Sequence, residues 1–136
     1  MWPLKIAFVC ISVCIVACSP KAEFLPDGEN LKPAKVGEPY YLKVNILGGA
    51  VIGGPNWILG SVVPNDSGIT LRNCLLPSWR ITKDTKNLND HNCVEIYGTP
   101  NKIGVIKIII DGGMYGHMFA RASEFSKNYK LQVVQP

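Results

Sequence analysis

Charge is scarce in this chain and nowhere concentrated. Lys and Arg number 14 and Asp and Glu 10 among 136 residues, for a formal net charge of +4. With no basic run, the sequence lacks the electrostatic footprint of a nucleic-acid binder, and nucleic acid is not expected as a partner. Histidine is nearly missing. His91 and His117 stand without Cys, His or carboxylate partners at zinc-site spacing, so neither a metal centre nor a cofactor is expected. Asp84, Asn87, Asn89, Asp90 and Asn92 offer oxygens to calcium, but without a full acidic set a hydrated loop is the simpler reading. No apolar run reaches the roughly 18 residues that mark a transmembrane helix. No serine lies in a nucleophile motif, so no catalytic residue is assigned and the protein is not expected to be an enzyme.

Two glycine-bearing stretches invite a nucleotide reading and fail it on spacing. In YGTPNKIG (97–104), a phosphate loop starting at Gly98 needs a second glycine where Ile103 stands, then Lys and Ser or Thr where Gly104 and Val105 stand. In GGAVIGGP (48–55), Ala50 occupies the place of the second glycine of a dinucleotide fingerprint. Neither stretch is expected to hold a nucleotide. Pro100 presets a turn angle, Asn101 suits the next position, and Gly98 and Gly104 bound a connection between two strands.

The N-terminus is a targeting segment. Lys5 precedes a charge-free apolar run from Ile6 to Ala17. As a helix that run spans roughly 18 Å against a hydrocarbon core of about 30 Å, so it fits the apolar region of a signal peptide and not an anchor. Its end, Ile15-Val16-Ala17-Cys18, resembles the lipobox of bacterial lipoproteins. The resemblance implies cleavage after residue 17 and lipidation of Cys18; the alternative is a plain secretory signal. Ser19 in place of an aspartate implies, in a Gram-negative cell, transport to the outer membrane. Residues 1–17 are therefore read as signal, 18–35 as a lipidated N-terminus and tether, and 36–136 as the folded domain. Export exposes the remaining cysteines to an oxidising compartment. Cys74 and Cys93 can pair only with each other within one molecule, and the alternative is two buried free thiols.

Beyond the tether the pattern is β. YYLKVNIL (40–47) and NYKLQVV (128–134) alternate apolar and polar residues; WILGSVV (57–63), GITL (68–71) and VEIY (94–97) are short runs; GVIKIIID (104–111) is isoleucine-rich and reads as a central strand. MYGHMFARASEF (114–125) leaves room for a turn or two of helix, because Met114/Met118 and Tyr115/Phe119 are four apart. About seven strands separated by turn signals predict an all-β antiparallel sandwich.

Several pieces in order, AKVGEPYYLKV (34–44), Gly48-Gly49, PNDSGITL (64–71), VEIYGTPNKIGVIKIIIDGG (94–113) and YKLQV (129–133), resemble the bacterial immunoglobulin-like domains of the cadherin-like group. The resemblance covers roughly residues 31–135 and rests most on the Gly98-Thr99-Pro100 turn with Gly104. It implies an immunoglobulin-like, cadherin-like β-sandwich used for binding, adhesion or spacing, with no catalytic residues. The chain departs from the pattern at residues 72–93, an insertion carrying both mature cysteines, and at the long segment 112–128.

The insertion RNCLLPSWRITKDTKNLNDHNC places Trp79 beside Arg80, with Arg72 and Lys83 near in sequence. Trp and Arg dominate binding interfaces, and a closed loop loses less entropy on binding than a free one. Those four residues are the candidate partner-binding set. The plainer reading is that Leu75, Leu76 and Trp79 cap one end of the sandwich. The function expected is a lipid-anchored cell-envelope lipoprotein acting as a non-catalytic binding, adhesion or assembly module, contacting an envelope protein or surface partner. The alternative is an inhibitor or immunity lipoprotein that blocks an enzyme or toxin.

Overall fold

The computed structural model describes residues 20–53, 59–116, 118 and 121–136. Eight strands follow in order: β1 (Glu23–Leu25), β2 (Ala34–Lys35), β3 (Tyr40–Leu47), β4 (Gly60–Val63), β5 (Ile69–Leu75), β6 (Asn89–Gly98), β7 (Gly104–Met114) and β8 (Ser123–Val134). They form two four-stranded sheets, ordered β1-β3-β6-β5 and β2-β8-β7-β4. All pairs are antiparallel except β2 with β8. Setting aside β2, this is the immunoglobulin constant-type arrangement, the first, second, fifth and fourth strands facing the third, sixth and seventh. The all-β, immunoglobulin-like sandwich expected from the sequence is the fold.

Alternation builds the core. Val44 and Ile46 of β3, Val94 and Ile96 of β6, Ile106, Ile108 and Ile110 of β7, and Tyr129, Leu131 and Val133 of β8 are buried between the sheets. Their neighbours Lys43, Asn45, Lys107, Lys130 and Gln132 face water, as a period of two requires. The strand expected at 40–47 is β3, residue for residue. Those expected at 104–111 and 128–134 are the cores of longer β7 and β8.

Three expectations change. Residues 18–35 are not all tether: β1 pairs with β3, β2 pairs with β8, and Asn30 bridges Lys130, so the edge strand is split between the two sheets and the domain begins well before residue 36. The segment 114–125 is not a turn of helix among the described residues. β7 runs on through Met114, which is buried, and β8 starts at Ser123. The insertion 72–93 is only partly a loop, because β5 continues to Leu75 and β6 begins at Asn89, leaving 76–88 outside the sheet. The signal segment and Cys18, the start of the strand expected at 57–63, and His117 and Phe119 lie outside the described residues.

Two tyrosines clip the split edge strand to the core. Tyr40 donates its hydroxyl to the Lys32 carbonyl at 2.8 Å, and Tyr129 donates to the Pro26 carbonyl at 2.6 Å. Burial pushes both phenols from the ordinary 10.0 up to about 12, with Asp27 adding to the effect at Tyr129. A folded value above the ordinary one means their contribution is intact below pH 10 and is lost as pH rises towards about 12. Urea unfolding at about pH 8 and about pH 11 should therefore show a marked alkaline loss of stability, and Tyr129→Phe should reduce that loss. An equal pH dependence in wild type and Tyr129→Phe would contradict this account.

Candidate functional site

The YGTPNKIG stretch is the connection between β6 and β7 that carries the chain from one sheet to the other. Pro100 is fully buried. Its carbonyl accepts from Gly37 N–H at 2.9 Å, Asn101 N–H donates to Ser67 O at 3.1 Å, and the Asn101 amide donates to Asp66 O at 2.8 Å. The turn thus ties three loops at one end of the sandwich.

The opposite end carries the insertion. β5 and β6 pair from Ile69↔Gly98 to Asn73↔Val94, and a bulge between Asn73 and Cys74 then shifts the register to Cys74↔Asp90 and Leu75↔Asn89. Cys74 and Cys93 are disulfide-bonded across that irregularity, with Cα atoms 5.3 Å apart, and both are buried. Immunoglobulin domains of antibodies carry a bridge between sheets, whereas this one lies within a sheet and staples the base of the loop. Beyond it, Leu76 N–H donates to Leu88 O at 2.7 Å, closing the loop's neck.

Inside the loop, hydrogen bonds rather than apolar packing hold the chain. A 3-10 turn at Ser78–Arg80 buries none of its residues. A second turn is fixed by Thr82 N–H to Thr85 Oγ1 at 2.9 Å and Thr85 N–H to Thr82 O at 3.2 Å. Trp79 at its tip is 81% exposed and Leu75 at its base 72% exposed, so the capping reading fails for both. Arg80 and Lys83 are exposed on the same loop.

Arg72 belongs elsewhere. On β5 it lies opposite Glu95, its Nε 3.3 Å from Glu95 Oε1, and its guanidinium sits 4.1 Å from the centre of the Tyr97 ring. Tyr41 faces Tyr97 on the neighbouring strand, and the Glu95 carboxylate beside it raises its phenol above the ordinary value, first through a hydrogen bond. Of the four candidate residues, the structure brings Trp79, Arg80 and Lys83 onto one loop and places Arg72 on the outer face of the sheet.

Two residues of this end were missed as organisers. Asn92 receives Val51 N–H at 3.0 Å and donates to Ile46 O at 2.9 Å and Gly49 O at 2.6 Å, so it fastens the glycine-rich loop onto β6. His91 packs its ring against Gly53, where any side chain would overlap it, and its Nε2 lies 3.1 Å from the Asn87 amide. Its buried Nδ1 has no partner among the described residues. The signal for both lay only in the density of Asn and Asp after residue 83. Their oxygens serve the loop itself: Asn87 accepts from Asn89 N–H and Asp90 from Asn92 N–H, each at 3.0 Å. Among the described residues no three His, Cys, Asp or Glu side chains come together as metal ligands, and no helix is long and apolar enough to cross a membrane.

A groove of about 760 Å³ opens beside Ile52, Gly112, Gly113 and Phe125. Its polar lining includes Asp111, Glu124 and Ser123, and the Ser123 hydroxyl donates to Pro20 O at 2.7 Å. No family model, curated protein or solved structure matches this chain.

Proposed function

We propose that this protein is a lipid-anchored lipoprotein of the cell envelope, in the outer membrane of a Gram-negative cell, and that it works as a non-catalytic binding module. The lipobox-like Ile15-Val16-Ala17-Cys18 supports the anchor. The observation that carries the binding role is Trp79, held in the open on a disulfide-closed, internally hydrogen-bonded loop. A large exposed aromatic side chain on a pre-ordered loop loses little conformational entropy on contact, which is the physical basis of a binding hot spot. Arg80 and Lys83 flank it with positive charge. An inhibitor or immunity lipoprotein would use the same loop against a single enzyme or toxin.

The test is made in intact envelopes. Cys18→Ala is expected to remove the acyl mass and shift the protein from the membrane to the soluble fraction; unchanged acylation and fractionation would refute the anchor. A photo-reactive amino acid in place of Trp79 is expected to cross-link to an envelope component. Reaction with water alone would refute the binding surface, and an adduct with one enzyme or toxin would favour the inhibitor.

A further inference from the structure

We infer that the end of the sandwich bearing Trp79 rests on the bilayer itself, and that the occupant of the exposed loop is the phospholipid headgroup layer. The inference rests on the reading of Cys18 as the acylated residue.

The first observation is where the N-terminal chain enters the domain. β1 runs antiparallel to β3 with Glu23 opposite Leu47, so the chain enters where β3 ends. Antiparallel pairing of β3 and β5 with β6 brings Leu47, Leu75 and Asn89 to that same end. The Val51↔Met114 bridge, with Tyr115 N–H donating to Ala50 O at 2.9 Å, places the end of β7 there too. The loop 76–88 and the β7–β8 connection therefore share one end of the domain with the entering chain.

The second observation is the length of the leash. Pro20 O is held by Ser123 Oγ at 2.7 Å, and β1 begins three residues later. Only Ser19 separates Pro20 from Cys18. Two residues of extended chain reach about 7 Å. A headgroup layer is roughly 5–8 Å thick on each side of the hydrocarbon core. A lipid on Cys18 thus has no slack with which to hold the domain away from the membrane.

The third observation is the chemistry of that end. Leu75, Trp79, Ile81, Leu88 and Tyr115 are exposed there, and Met118 is 90% exposed. Arg80, Lys83 and Lys86 accompany Trp79 in the loop, with Asp84 as its one acidic residue, and Arg121 lies in the β7–β8 connection. Trp and Tyr favour the level of the headgroups, and Lys and Arg are drawn to anionic lipid. The far end also exposes Val63, Ile103 and Val105, and with them the Tyr41 ring, which stands on a strand beside Glu95 and not on a loop. Glu23, Asp90 and Glu124 stand on the strand ends behind the loop, so the basic excess belongs to the loop 76–88 itself. Apolar and aromatic tips, a basic loop and a two-residue leash coincide at one end, and a bilayer meets all three.

The experiment uses the acylated protein purified from envelopes and reconstituted into vesicles of phosphatidylethanolamine and phosphatidylglycerol, with bromine carried on the acyl chains near the headgroup. Tryptophan emission is compared between wild type and Trp79→Phe, a change at an exposed position that leaves the core untouched. Bromolipid is expected to quench the Trp79 share of the emission about twofold or more, as for a side chain at headgroup depth, and to lose that component in Trp79→Phe. Equal quenching of both proteins, with the acyl group confirmed by mass, overturns the membrane face and leaves the anchor standing. A mass without acyl groups overturns the anchor and this inference together, and a protein adduct from position 79 in envelopes overturns this inference alone.

Discussion

Gly98→Ala is expected to destabilise the domain by about 3 kcal/mol or more, at the upper end for a single substitution. Gly98 closes β6 at φ +127°, a region that other residues rarely adopt, and it pairs with both Tyr40 and Ile69. An added Cβ would fall on the carbonyl oxygen of Gly68. That oxygen belongs to the backbone beside a paired strand, so relief requires the β5–β6 ladder to move and not a rotamer change. Gly104, at the other end of the same motif, is the control. Its φ is +142° but nothing lies within 4 Å of the added carbon, so Gly104→Ala carries the backbone strain alone. That cost is about 1–2 kcal/mol. Urea denaturation of both variants reads the difference, and equal losses would show that the contact with Gly68 does not matter.

The second large effect is loss of the bridge. Cys74 and Cys93 are 19 residues apart in sequence. Closing a loop of that size restricts the unfolded chain enough to stabilise the fold by about 3 kcal/mol. Reduction, or Cys74→Ala with Cys93→Ala, should lower the melting temperature by about 10–20 °C for a domain of this size. The β5–β6 ladder from Ile69 to Asn73 lies on the far side of the bulge, so the sandwich is expected to stay folded while the loop 76–88 loses its fixed base. Hydrogen exchange at the Leu76, Arg80 and Thr85 amides, all bonded within the loop, would report that loosening. A melting temperature unchanged by reductant would mean the bridge does not contribute to stability.

Strands with a wet face were legible because alternation is a local property: Leu42, Val44 and Ile46 against Lys43 and Asn45 define β3 without reference to any neighbour. The two halves of the edge strand were not. β1 has three residues and β2 two, too few for a period, and prolines 26 and 33 lie around them. What makes them strands is the hydrogen-bonding edge offered by β3 and β8. The spacing of Met114 with Met118 pointed to helix for a related reason. Met114 is buried as the last residue of β7 and Met118 stands exposed beyond it, so the pair lies on two sides of a strand end and shares no face.

At the candidate site the same boundary holds. The pairing of Cys74 with Cys93 followed from their being the two cysteines beyond residue 18, and the weight on Trp79 followed from its residue type. The split of Arg72 from Arg80 and Lys83 did not. Arg72 is drawn to Glu95 and Tyr97 by cross-strand register, which no spacing along one segment reveals. By itself the sequence determined the β class, the main strands, the turn at Gly98-Thr99-Pro100 and the bridge, because each depends on residues close together in the chain or on a choice with one answer. Only the tertiary structure decided that Trp79 stands clear of the core, that Asn92 fastens the loop beside it, and that β1 begins at the same end. Those facts come from which strands pair and in which direction, and antiparallel pairing brings together residues tens of positions apart.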